Sequence, residues 1–162
     1  MTFIAQLAED LIERGLVARA GNRGCSEQEI SDLMQSQRVE ALPESYREFL
    51  EYSGRDPYWL THEGEWNYDW ILDAKNVARD IVVEDYKGEF SSFENSFIFQ
   101  THQGYMFFYF REEDLHAADP RFWIFKGGSP VQMSSLTFNQ WLADLARTLP
   151  EELRLRQKLY GR

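Results

Sequence analysis

Residues 42–54 read LPESYREFLEYSG, and this segment carries the clearest structural signal in the chain. Pro43 pre-sets the first turn of a helix, where its missing N–H costs nothing because the first amides of a helix have no partner within it. Glu44 places a negative charge beside the positive end of the helix dipole. Three apolar side chains then fall on one face of the helix: Tyr46, Phe49 and Leu50. Gly54 supplies a C-terminal cap, so the segment predicts a helix that ends at this glycine.

Two amphipathic helices are predicted upstream of this segment. The first carries apolar residues at intervals of three and four, namely Phe3, Ile4, Leu7, Ala8, Leu11 and Ile12. We expect this helix to end near Gly15 or by Gly21. The stretch Ser26–Glu29 matches a capping box, in which the serine and glutamate side chains each accept a hydrogen bond from the other residue's amide. The box starts a second helix, whose inward stripe is Ile30, Leu33 and Met34.

Residues 55–72, RDPYWLTHEGEWNYDWIL, mix acidic and aromatic side chains without a regular period. This composition predicts a long loop that ends in a short strand at Trp70–Leu72. Asp73 is then predicted to cap a helix that runs to about Tyr86.

The hydrophobic period changes after Phe93. Four segments rich in aromatic and β-branched residues are predicted as strands: Ser96–Gln100, Tyr105–Phe110, Phe122–Lys126 and Val131–Met133. The near-continuous apolar run Met106–Phe110 predicts a strand that is covered on both faces. A helix then begins at Ser135 or Thr137, Pro150 interrupts it, and a helical tail follows over 151–160. This order predicts one α+β domain over 1–162, with an antiparallel or mixed sheet of about four to six strands flanked by N-terminal and C-terminal helices.

The composition excludes several classes of protein. With 43% hydrophobic and 15% aromatic residues, the 162-residue chain can bury a core, which excludes a disordered protein. No apolar run approaches the roughly 18–20 residues that span a bilayer, and acids stand where a signal peptide needs a positive start. We therefore expect a cytoplasmic protein with no membrane contact. The single cysteine, Cys25, excludes an internal disulfide.

The net charge of −10 is concentrated in one part of the chain. Residues 43–95 carry 13 acidic and 5 basic side chains. Such a surface repels phosphate backbones, so we expect no nucleic-acid partner, and it attracts a basic protein. The competing interpretation is that the acidity only keeps the domain soluble.

No residue pattern points to catalysis or to a metal. Cys25 lies in no motif that would bring a histidine base to it. The three histidines lack the spacing of a zinc site: His62, His102 and His116. The acids around His62 lack the pattern of a calcium loop. We therefore expect no catalytic residue, no metal site and no cofactor.

The acidic and aromatic segment is the candidate binding surface. Tyr and Trp rings among acids can form an interface hot spot for an Arg- or Lys-rich protein, whereas the alternative is partial burial under a loop. The candidate partner-binding residues are Asp56, Tyr58, Trp59, Glu63, Glu65, Trp66 and Asp69. We also expect Glu84, Asp85 and Glu89 to bind the partner, as a second acidic edge. We expect the chain to be a monomer or a weak dimer.

With these elements placed, the chain resembles the SUKH superfamily, which groups bacterial immunity proteins with fungal regulators of cell-wall synthesis. The resemblance rests on four motifs in the same order. They are the "LP, two residues, Tyr, two residues, Phe-Leu" helix of residues 42–50 ending at Gly54, the paired strands within Phe97–Phe110, Asp119-Pro120 followed by Phe122-Trp123, and the closing helix within Ser134–Leu145 that carries Phe138, Trp141 and Leu142. Together the motifs cover most of residues 26–145.

The resemblance implies a domain without catalytic activity that binds and neutralises a protein toxin. Toxins that act on nucleic acids, such as nucleases and deaminases, are commonly basic, which agrees with the acidity of this chain. Two other functions stay open. One is a regulatory scaffold that binds a cellular protein, and the other is an enzyme whose site is assembled from scattered carboxylates and His62 or His102.

Overall fold

The computed structural model describes residues 1–21 and 23–161, and this part of the chain contains six α-helices and four β-strands. The helices are α1 (Phe3–Glu13), α2 (Glu27–Ser36), α3 (Glu44–Ser53), α4 (Tyr68–Ile71), α5 (Ala74–Asp80) and α6 (Phe138–Tyr160). The strands are β1 (Phe97–His102), β2 (Met106–Phe110), β3 (Arg121–Lys126) and β4 (Gln132–Thr137). Shorter helical turns are Ile81–Asp85, which is π-helical, and the 3-10 turns Ser91–Phe93 and Glu112–Asp114. The fold is the α+β fold that the sequence predicts.

The four strands form one sheet in the order β1-β2-β3-β4, and every neighbouring pair is antiparallel. The sheet is therefore not mixed. Three residues connect β1 to β2 and five connect β3 to β4, which is short enough only for antiparallel neighbours, whereas the ten residues between β2 and β3 include the turn Glu112–Asp114.

Aromatic side chains cover both faces of strand β2. On one face, the ring centroid of Tyr46 from α3 lies 5.6 Å from that of Phe110 and 5.3 Å from that of Phe138 at the start of α6. On the other face, the ring of Phe93 lies 5.3 Å from the ring of Tyr109. The predicted burial of this strand on both faces is confirmed.

The helix predicted from residues 42–54 is confirmed as α3, and the side chains of Tyr46, Phe49 and Leu50 are fully buried. Gly54 is its C-cap with a φ of −62°, so the backbone conformation does not itself require glycine. A Cβ at this position would lie 2.7 Å from Sγ of Cys25, well inside van der Waals contact. Glycine is therefore needed here for space.

The predicted strand at Trp70–Leu72 is wrong, because this stretch belongs to the short helix α4 and its C-cap. The backbone N–H groups of Trp70 and Ile71 both donate to the carbonyl of Asn67, each at 3.0 Å. The indole N–H of Trp70 also donates to the hydroxyl of Thr101 at 2.6 Å, which holds α4 against β1.

The predicted interruption at Pro150 is also wrong, because α6 continues through this residue to Tyr160. A proline within a helix removes the one amide that would bond to the carbonyl four residues earlier, here that of Ala146. The long helix accommodates this loss, and the start of α6 at the Thr137 cap agrees with the prediction.

Candidate protein-binding surface

The segment that connects α3 to α4, residues 55–67, is the acidic and aromatic stretch that the sequence singles out, and we call it the acidic loop. At its end, the N–H of Tyr68 donates to the carbonyl of Gly54 at 2.8 Å, which closes the loop at its base. Further along, Glu65 and Thr101 of β1 exchange two backbone hydrogen bonds of 2.8 and 3.1 Å. These contacts hold the loop against the edge of the sheet and give it one defined surface.

Trp66 is not part of that surface. Its side chain is fully buried, and its ring stacks on Phe49 of α3 at 5.0 Å and meets Trp141 of α6 edge-on at 5.3 Å. The expectation that Trp66 contacts a partner is therefore wrong for the folded chain. The physical reason is the pairing of Glu65 with β1, because it fixes the backbone so that the next side chain points into the core.

Tyr58 and Trp59 are half-buried, although the indole nitrogen of Trp59 is itself buried and has no hydrogen-bond partner among the described residues. The hydroxyl of Tyr58 donates to Oδ1 of Asn67 at 2.9 Å across the loop. The ring of Trp59 meets that of Tyr52 edge-on at 6.4 Å. Both rings are thus fixed in place before any partner arrives, which lowers the entropy cost of contact.

Four predicted carboxylates lie on or beside the acidic loop. Asp56, Glu63 and Asp69 are exposed, and Glu65 is half-buried. Asp56 accepts from the N–H of Tyr58 at 3.3 Å and lies 3.9 Å from Nε of Arg23. Among the described residues, the other three carboxylates form no ion pair.

The second predicted acidic edge lies elsewhere. Glu84, Asp85 and Glu89 are exposed on and after the π-helical turn Ile81–Asp85. The adjacent ring of Tyr86 lies 6.1 Å from that of Phe125, on the face of the sheet opposite to α3 and α6. The structure therefore does not bring this group together with the acidic loop.

A cleft of about 510 Å³ lies between the acidic loop and the middle of α6. We call it the α6 cleft. The residues that line it are Thr61, Glu63, Leu145, Arg147, Thr148, Glu151, Glu152 and Leu155. The backbone N–H of His62 in the acidic loop donates to Oε1 of Glu152 in α6 at 3.4 Å, so this hydrogen bond links the two sides of the cleft.

Sequence reasoning missed the α6 cleft because it treated Pro150 as the end of the helix. The available signal was the spacing of Leu145, Thr148, Glu152 and Leu155, which places them on one face of a continuous helix. No local pattern, however, shows that the acidic loop forms the opposite wall.

Of the residues considered for catalysis, Cys25 has the environment of an unreactive thiol. Cys25 is buried, and its burial raises the pKa of the thiol to about 12, so the thiol is protonated and weakly nucleophilic at neutral pH. Over residues 1–21 and 23–161, no group of three or more His, Cys, Asp or Glu side chains is arranged to hold a metal ion. Across the same described part, no helix combines the length and hydropathy of a membrane span.

Comparison with known proteins identifies one family. The model of the SMI1 / KNR4 family (SUKH-1) matches residues 24–144. No curated protein and no solved structure matches the chain. The matched range includes α2, α3, the acidic loop and the whole sheet, whereas α1 and most of α6 lie outside it.

Proposed function

Because the chain belongs to the SMI1/KNR4 (SUKH-1) family, we propose that it is an immunity protein that binds and neutralises a basic protein toxin in the cytoplasm. The family includes toxin-immunity proteins and fungal regulators. On this proposal the toxin is a nuclease or a nucleic-acid deaminase, and the chain itself catalyses no reaction. The surface proposed to bind the toxin is the acidic loop together with Asp69.

Charge supports this class of partner. Residues 43–95 carry 13 acidic and 5 basic side chains, and the carboxylates of the acidic loop are among these acids. An enzyme that binds a polyanion carries a basic active face, and an acidic surface is complementary to that face. Exposed carboxylates without an ion pair lose no existing partner when they meet an Arg or Lys side chain.

The half-buried rings support direct contact at the same place. Tyr58 and Trp59 lie between Asp56 and Glu63 in the loop, so aromatic and acidic groups are interleaved. Tyr and Trp are enriched among residues that dominate binding energy, and removal of a central anchor costs about 2 kcal/mol or more. On the proposal, Trp59 is this anchor and the carboxylates orient the approach.

The test is coexpression of the chain with the toxin domain encoded by a neighbouring gene. We expect the wild-type chain to restore growth and the triple variant E63Q/E65Q/D69N to lose most of this protection. The matched control is E84Q/D85N/E89Q, which removes the same kinds and number of charges on the opposite face of the sheet. We expect this control to protect as well as the wild type does.

Two results would overturn the proposal. A wild-type chain that protects against none of the neighbouring toxin domains contradicts the immunity function. Equal loss of protection in both triple variants contradicts the placement of the binding surface on the acidic loop. Recovery of a stable complex with a cellular protein, in the absence of any protection, would instead support the regulatory scaffold.

A further inference from the structure

We propose that the α6 cleft binds a basic amphipathic helix of the protein partner. This inference rests on the proposed function, because it assigns to the same partner a second contact beside the acidic loop. It goes beyond the loop by naming the form and the chemistry of the segment that is bound.

The length of the cleft suits a short helix. Its floor follows α6 from Leu145 to Leu155, a length of about 16 Å at the rise of an α-helix, which is about three turns. Leu145 is half-buried against the core and Leu155 is 50% exposed, so the floor offers aliphatic surface that is most accessible at Leu155. A helix that lays an apolar stripe into such a groove uses residues three and four positions apart as anchors.

The rim of the cleft is acidic. Glu63 forms no ion pair with a described residue, and the carboxylate of Glu152 is near only a backbone amide, that of His62. Arg147, the cation among the described residues that line the cleft, is bonded to Asp144 at 2.6 Å. The rim therefore has free negative charge for Lys or Arg side chains of the bound helix.

Glu151 is the third rim carboxylate, and it is paired with Arg154 one turn further along α6. Both side chains of this pair are largely exposed, at 60% and 73%. Exposed pairs of this kind contribute little to stability, so Glu151 can exchange Arg154 for a cation of the partner at small cost.

The position of the cleft in the chain supports a role in choosing the partner. The family match ends at residue 144, and the cleft uses α6 from Leu145 onward. One wall, the acidic loop, thus belongs to the matched domain, while the floor is built by the part of this chain outside the match.

The probe for this inference is a synthetic, fluorescein-labelled 14-residue peptide made only of lysine and leucine at helical spacing. Its matched control has glutamate in place of every lysine. Fluorescence anisotropy at about 0.15 M salt measures the binding of each peptide to the full chain. We expect the lysine peptide to bind and the glutamate peptide not to bind.

Variants of the chain locate the binding. E63Q/E151Q/E152Q should weaken binding of the lysine peptide about tenfold, and Leu155→Ser should weaken it about fivefold through the lost apolar contact. Both changes are at exposed or half-buried surface positions, so we expect the fold to survive, which circular dichroism checks. The control E84Q/D85N/E89Q has the same change in net charge and should alter binding less than twofold.

Three results would overturn the inference: no binding of the lysine peptide, equal weakening by both triple variants, or a dimer that forms through the cleft. Light scattering detects the dimer, in which the basic end of α6 from a second copy would occupy the cleft. The proposed function is judged separately by growth. Protection without peptide binding would contradict only the proposal that the cleft binds a helix. Peptide binding without protection would contradict only the proposed immunity function.

Discussion

Trp59 and Trp66 have the same side chain and lie in the same loop, but their surroundings differ. Trp66 is fully buried against Phe49, whereas Trp59 is only half-buried. We therefore expect Trp66→Ala to lower the free energy of unfolding by about 3–5 kcal/mol, the usual cost of removing a buried aromatic side chain. Trp59→Ala should cost clearly less, because Trp59 is only half-buried. Urea unfolding followed by circular dichroism measures both values.

The two variants also serve as controls for each other. If Trp59→Ala destabilised the chain as strongly as Trp66→Ala, then Trp59 would be a core residue. A loss of toxin binding in that variant would then result from a damaged fold, and Trp59 could no longer be assigned to the proposed binding surface.

The difference between these two indoles shows where sequence reasoning reaches its limit. The sequence correctly marks the acidic loop as unusual, because acids and aromatics alternate there without a period. The direction of the Trp66 side chain depends on the pairing of Glu65 with Thr101, which are distant along the chain. A loop has no helix or strand period from which the inward side could be assigned.

Cys25 gives a prediction on pH. Burial raises the pKa of its thiol from 9.0 to about 12 in the folded chain. Between these two values, the unfolded chain loses the proton while the folded chain keeps it, so the free energy of unfolding falls as the pH rises. Below pH 9 both states keep the proton, and this contribution to stability is fully present.

We expect the alkaline loss of stability to be smaller in Cys25→Ala than in the wild type, by up to about 1.4 kcal/mol per pH unit above pH 9. Urea unfolding of the two proteins from pH 8 to pH 10.5 measures the difference. Because buried tyrosines also titrate late, only the difference between the two proteins is informative. Parallel curves would show that the thiol ionises normally and is accessible.

At the scale of elements, the contact between the start of α2 and the end of α3 depends on glycine. The N–H of Cys25 donates to the carbonyl of Leu50 at 2.8 Å, so the two backbones run side by side. A Cβ on Gly24 would lie 1.8 Å from the carbonyl oxygen of Glu51, which cannot move aside as a side chain can. We expect Gly24→Ala to destabilise the chain by about 2 kcal/mol or more, measured by thermal unfolding.

Gly21 is the matched control for that substitution. A Cβ there would meet nothing within 4 Å, so Gly21→Ala should change stability by less than about 1 kcal/mol in either direction. If the two alanine variants unfolded at the same temperature, close packing between α2 and α3 would not be what fixes their positions.

Local sequence patterns were sufficient to predict an element where the whole pattern lies within that element. The Ser26 capping box and the Thr137 cap both form as predicted, because cap and helix are adjacent in sequence. The signals failed where packing outweighs local preference. Pro150 costs α6 one hydrogen bond, yet the buried side chains of Ala146 and Leu149 just before it keep the helix on the core. That continuity is what creates the floor of the α6 cleft.

At the scale of the whole molecule, the acidic excess does not form one continuous face. The acidic loop lies on the side of α3 and α6, since Trp66 packs between Phe49 and Trp141. Glu84 and Asp85 lie on the opposite side, where Tyr86 packs on Phe125. A sequence gives the charge of a segment, but the distribution of that charge depends on the sheet that separates its two ends.

For the toxin identified by the growth test, we expect the carboxylates of the acidic loop and Trp59 to affect different rate constants of binding. The variant E63Q/E65Q/D69N should lower the association rate constant about tenfold at 50 mM salt, because exposed carboxylates act mainly by attracting the partner over distance. At about 500 mM salt the wild type and this variant should associate at similar rates, since the Debye length is then only a few ångströms. Trp59→Ala should instead raise the dissociation rate constant, because a desolvated ring acts after contact. Surface plasmon resonance at both salt concentrations measures these constants. If the triple variant changed only the dissociation rate constant, the carboxylates would form close ion pairs in the complex instead of steering its formation.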